Sequence, residues 1–172
     1  MDLREEILRE HSSAQRTKIV RWVGSDQQRF NQLFSMLSGN EKVIVQRAAW
    51  PVSYCVNDHP EFIRGHWDEI ISLLEKPVLH QAVTRNLLRF MQHVNIPGKY
   101  QGRIMEKCFH YVSDPAMPVA IRVFSMQILS NLALQYPDIK NELRLVLETN
   151  FQKQTAGYKS RAAKVFKKLD QL

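Results

Sequence analysis

Apolar residues recur along this chain at helical spacing. Counting from Ile63, the residues Trp67, Ile70, Ile71 and Leu74 fall at i+4, i+7, i+8 and i+11, which is one continuous stripe of a helix. Lys76-Pro77 interrupts it, because proline pushes the preceding residue out of helical backbone. Val83, Leu87, Phe90, Met91 and Val94 then form the stripe of a second helix. Upstream, Phe30, Leu33, Phe34 and Leu37 precede the turn Ser38-Gly39-Asn40, and Val45, Ala48, Ala49, Val52 and Val56 follow it. Downstream, Ile104, Cys108, Tyr111 and Val112 lead through Ser113-Asp114-Pro115 to Ile121, Phe124, Ile128 and Leu132. A last pair runs from Ile139, Leu143, Val146, Leu147 and Phe151 across Thr155-Ala156-Gly157 to Ala162, Val165, Phe166 and Leu169, and a shorter N-terminal pair surrounds Leu3, Ile7, Ile19 and Val23. No stretch alternates convincingly with period two, so the pattern predicts an all-α protein of about ten helices in five antiparallel pairs.

The pairs are copies of one unit. Arg16, Arg47, Arg85, Arg122 and Arg161 recur at intervals of 31, 38, 37 and 39 residues. Pro60, Pro97 and Pro137 keep the same phase, 13, 12 and 15 residues after the second, third and fourth arginines, where a proline suits the first turn of a new helix. One helix pair cannot bury its stripe alone, so the expected architecture is a right-handed α-α superhelix, a solenoid stacked as a single domain over residues 1–172. Its units fall near 1–25, 26–58, 59–95, 96–136 and 137–172.

Val45-Gln46-Arg47-Ala48-Ala49 resembles the second-helix signature of HEAT and armadillo-type repeats, with echoes in Arg161-Ala162-Ala163 and Ile121-Arg122-Val123. The resemblance implies a binding scaffold whose second helices line a concave surface. It also implies a ladder of turn aspartates and arginines, for which this chain offers Asp114 and, as a neutral substitute, Asn40.

Charge sharpens the choice of partner. Across the 172 residues, 24 Lys and Arg against 17 Asp and Glu give a formal +7. Residues 1–86 are neutral, and the excess lies in the second half, with Lys153, Lys159, Arg161, Lys164, Lys167 and Lys168 near the end. Lys159, Lys164, Lys167 and Lys168 are therefore read either as the polar cap a terminal repeat requires or as a patch for phosphates or an acidic partner. Arg47, Trp50 and Tyr54 on one second helix, with Arg85, Asn86, Arg89 and His93 on the next, are the candidate partner-binding residues, an aromatic pair beside positive charge. The bland alternatives are that Trp50 and Tyr54 pack against the neighbouring repeat, and that the repeated arginines are ties between helices.

Chemistry of other kinds finds little footing. Cys55 and His59 stand at i and i+4, but two ligands do not make a zinc site, and the remaining histidines are scattered. No metalloprotease, nucleophile-elbow or phosphate-loop motif occurs, so no catalytic residue, metal, cofactor or small-molecule substrate is expected. Met1 to Glu10 lacks the apolar core of a secretory signal, no run is long enough for a membrane span, and the two cysteines are isolated. A cytoplasmic protein is expected on those grounds. The leading expectation is a non-enzymatic scaffold binding a protein partner. The alternative is a nucleic-acid-binding solenoid similar to the HEAT-like DNA alkylpurine glycosylases, whose activity rests on an aspartate and tryptophans of the concave face.

Overall fold

The computed structural model describes residues 1–149 and 151–172. They form α1 (Leu3–Arg9), α2 (Ser13–Val23), α3 (Gln27–Ser38), α4 (Lys42–Asp58), α5 (Trp67–Leu74), α6 (Gln81–Met91), α7 (Gly98–Ser113), α8 (Val119–Leu132), α9 (Lys140–Glu148) and α10 (Ala156–Leu169). Short 3-10 turns occupy Pro60–Ile63, Pro137–Ile139 and Phe151–Lys153, and no strand occurs among the described residues. The all-helical expectation is met, and neighbouring helices pack in the order a helical repeat requires.

Local chemistry sets the helix ends. Asp2, Ser12, Asp26 and Thr155 each accept a backbone N–H from the first turn they precede, satisfying donors that have no partner within the helix. Gly24 closes α2 with φ of 51°, a backbone conformation that a side chain would strain. Pro97 is the N-cap of α7, whereas Pro60 and Pro137 each open a 3-10 turn instead of an α-helix. Ile63 consequently belongs to a turn, and Arg64-Gly65 separates it from the stripe that begins at Trp67.

Residues 1–94 form one compact unit and 95–172 another. In the first, α4 is the central element and packs against α1, α2, α3 and α6, while α3 also meets α5. Ala48 and Ala49 are buried on α4, where their small side chains allow close approach. Phe30, Leu33, Phe34 and Leu37 of α3 are fully buried, each contributing about 1.5–3 kcal/mol by leaving water. α4 continues through the buried Pro51, which removes the N–H that would bond the Arg47 carbonyl. Asn86 of α6 is also buried; it donates to the Ala82 carbonyl at 2.8 Å and accepts from the Ser53 hydroxyl of α4 at 3.3 Å.

In residues 95–172, α8 is central and packs against α7, α9 and α10. Its Ile121, Ile128, Leu129 and Leu132 share the core with Ile104 and Cys108 of α7, Leu143 and Leu147 of α9, and Tyr158, Ala162 and Val165 of α10. The buried Gln101 amide donates to the Ile96 carbonyl at 2.8 Å and accepts from the Tyr136 hydroxyl at 2.6 Å, tying the start of α7 to the segment after α8. Among the described residues no helix is long and apolar enough to cross a membrane.

Candidate functional site

Second helices α2, α4 and α6 bring cations and aromatics together. The Arg16 guanidinium of α2 lies 4.1 Å from the Tyr54 ring centroid and 4.8 Å from that of Trp50, both on α4. Arg89 of α6 reaches the same Tyr54 ring at 5.1 Å. The ring thus serves two arginines from two neighbouring helices, the arrangement that favours guanidinium over ammonium because planar groups stack. His11, in the loop between α1 and α2, sets its ring 5.4 Å from Trp50. Burial, and then the positive charges of Arg47 and Arg85, hold its pKa below the ordinary imidazole value.

Trp50 and Tyr54 are half-buried, neither core nor free surface, and Arg85 is exposed. Arg47 is partly committed: it donates to the carbonyls of Leu8 at 2.7 Å and Ile7 at 3.3 Å, capping the C-terminal end of α1. Arg16, Arg47, Arg85 and Arg89 form no ion pair among the described residues. Glu10, which lines the crevice beneath Trp50 with His11 and Arg47, instead accepts from the Ser12 hydroxyl. That crevice holds about 10 Å³, room for barely one water.

Three expectations about site residues need correction. Asn86 does not join the polar face of α6, because its amide is turned inward against Ser53. His93 is exposed but lies beyond the end of α6 at Met91, and among the described residues no hydrogen bond, ion pair or ring contact joins it to the cluster. In the lysine patch of α10, Lys164, Lys167 and Lys168 share one face, and Lys159 lies off it. Lys159 and Lys168, nine residues apart, point about 180° away from each other at 100° per residue. Lys159 donates to the Gln152 carbonyl at 2.9 Å and Lys168 to Asn131 of α8 at 2.9 Å, leaving Lys164 and Lys167 exposed.

The repeated arginines do act as ties. Arg122 donates from Nε to the Val112 carbonyl at 3.2 Å and stacks 4.6 Å from the Tyr158 centroid, and Arg161 donates to Gln127 at 3.0 Å. Arg122 takes these partners and not Asp114, which accepts from the Ala116 amide in its own turn, so no aspartate ladder forms there. Arg16 does more than tie helices, and its part in the cluster, with that of His11, went unread. The 31-residue interval to Arg47 is the signal that could have placed Arg16 beside the aromatics of the next second helix.

The residues of the other chemistries are dispersed. Cys55 and Cys108 are free and buried, each thiol pushed up to about 12 chiefly by loss of water. His59 turns toward Glu61 and stacks on Phe62, away from any ligand set with Cys55. No group of three or more His, Cys, Asp or Glu that could hold a metal occurs among the described residues. Trp67 is buried in α5, and Trp22 stacks with Arg29 at 5.3 Å.

No curated protein and no solved structure matches the chain. The family description HEAT repeat domain matches residues 3–169, almost the whole length, and repeats of this kind generally serve as scaffolds for protein interaction. With its second helices tied by recurring arginines and its all-helical order, the chain belongs to the HEAT repeat family.

Proposed function

We propose that this protein binds an acidic segment of a protein partner through the second-helix surface of residues 1–94. The observation that carries the reading is the convergence of Arg16 and Arg89 on the rings of Trp50 and Tyr54, with the charges of Arg47 and Arg85 acting on His11 beside Trp50 and, among the described residues, no carboxylate paired to these arginines. Carboxylates of a partner would accept the guanidinium N–H groups that remain unspent, and the rings would supply apolar contact beside them. Such a patch steers association more than it adds affinity, so binding should weaken with salt.

Fluorescence anisotropy of a labelled Glu/Asp-rich peptide containing one aromatic residue tests this directly. The expected result is saturable binding that Arg85→Glu with Arg89→Glu reduces by about tenfold, each solvent-screened charge contact being worth roughly 0.7 kcal/mol. Both side chains belong to α6 and neither forms an ion pair among the described residues; Arg85→Glu alone, which spares the stacking of Arg89 on Tyr54, should give part of the loss. Duplex and single-stranded DNA of matched charge form the competing arm. Tighter binding of DNA at about 0.15 M salt, lost on Lys164→Glu with Lys167→Glu, would replace the protein-partner reading with the nucleic-acid one.

A further inference from the structure

A second concave feature lies wholly within residues 95–172. A cleft of about 480 Å³ opens between the end of α7, the first turns of α8 and the segment that joins α9 to α10. That volume is in the range of small-molecule sites, unlike the crevice under Trp50. Val112, Pro115 and Val146 give it an apolar wall, and Ser113, Arg122 and Lys153 give it hydrogen-bond donors.

Arg122 is the unusual member. It is 6% exposed, yet no carboxylate pairs with it among the described residues. Its Nε donates to the Val112 carbonyl and one Nη to the Gln154 amide oxygen at 2.9 Å, while the guanidinium plane is held over Tyr158. These contacts fix the fork rigidly and use two of its five N–H groups. A buried guanidinium without a counter-anion is electrostatically incomplete, and its spare donors belong to a group that lines the cleft. Lys153, exposed where it lines the cleft, adds a second positive charge that no ion pair among the described residues cancels. The nearest turn carboxylate, Asp114, accepts from the Ala116 amide at 2.8 Å.

We propose that this cleft binds a small organic oxyanion, its carboxylate or phosphate head on Arg122 and Lys153 and its apolar body against Val112 and Val146. The site is independent of the partner surface on α2, α4 and α6. Thermal unfolding of the full chain with phenyl phosphate, benzoate, inorganic phosphate and benzyl alcohol tests it and separates the two head chemistries. Phenyl phosphate or benzoate at tenfold its Kd should raise Tm by about 4 °C, and inorganic phosphate at the same concentration should raise it less, lacking the apolar body. The uncharged alcohol should leave Tm unchanged.

Arg122 is itself part of the packing, so the decisive variants are others. Lys153→Glu should weaken binding by about tenfold, and Val146→Trp, which fills the cleft from α9, should abolish the shift. Lys42→Glu, exposed at the start of α4 and outside the cleft, should leave it unchanged. The proposal is overturned if no anion shifts Tm, if benzyl alcohol acts as strongly as phenyl phosphate, or if Lys42→Glu weakens binding as much as Lys153→Glu does.

Discussion

The contact between Arg16 and Tyr54 lends itself to a double-mutant cycle, because it joins α2 to α4 through two side chains that can be shortened without opening the core. Arg16→Met keeps the aliphatic stem and removes the charge, and Tyr54→Leu keeps an apolar body and removes the ring. The separation of 4.1 Å between guanidinium and ring centroid is well inside the roughly 6 Å over which such pairs attract. Both side chains are half-buried. Their coupling should therefore fall between the 0.5–1 kcal/mol of exposed pairs and the 2 kcal/mol of desolvated ones, about 1 kcal/mol. Each single variant should cost more than that, since Arg16 also contacts Trp50 and Tyr54 also contacts Arg89. Urea unfolding followed by far-UV circular dichroism gives the four free energies. In a thermal scan the coupling corresponds to about 2–4 °C for a chain of this size. Additivity to within about 0.3 kcal/mol would refute the argument that the ring holds the arginine in place, and with it the view that repeated arginines bind neighbouring repeats together.

Two further outcomes follow from burial. Cys55 and Cys108 should resist a thiol reagent at pH 8 in the native protein, since both thiols sit at about 12, and both should react at once in denaturant; native reactivity of either would contradict its packing. His66 lies 4.1 Å from the Phe34 ring centroid, with Nε2 2.9 Å from Asn31, and burial holds its pKa below the unfolded value near 6.5. Because the unfolded chain then takes up the proton more readily, stability is complete above about pH 7 and declines as pH falls through 6.5 toward the lower folded value. The urea midpoint should drop between pH 7.5 and 5.5, with a shallower drop in His66→Gln; equal slopes would remove His66 as a cause.

The fold was legible because its signal is redundant. The longer helices carry apolar stripes at i, i+3, i+4 and i+7 spacing, and the recurring arginines mark the same repeat independently of the stripes. The candidate site was less legible, since side-chain direction within a stack depends on the neighbouring helix. Asn86 sits between Arg85 and Leu87 and reads as polar surface, yet inside the stack it accepts from the Ser53 hydroxyl of α4. Arg47 reads as a ligand group, but the carbonyls at the end of α1 lie within its reach, 39 and 40 residues earlier in the chain. Lys168 finds Asn131 by the same kind of long-range adjacency. Trp50 and Tyr54, one helix turn apart on α4, are legible as a pair, but the arginines that stack on them come from α2 and α6 and not from their own helix.

The inward pair Ser53 and Asn86 bears on how repeats choose their neighbours. Apolar stripes on α4 and α6 are permissive, since sliding one helix past the other by a turn, about 5.4 Å, exchanges one aliphatic contact for another. Ser53 and Asn86 each keep a partner in their own helix, the Trp50 and Ala82 carbonyls, but the hydrogen bond between them closes at one offset only, and sliding forfeits its roughly 0.5–1.5 kcal/mol. Repeats built from nearly interchangeable stripes run the risk of stacking out of order, or on a copy from another molecule. One amide facing one hydroxyl gives this junction an address that the aliphatic surface around it does not carry.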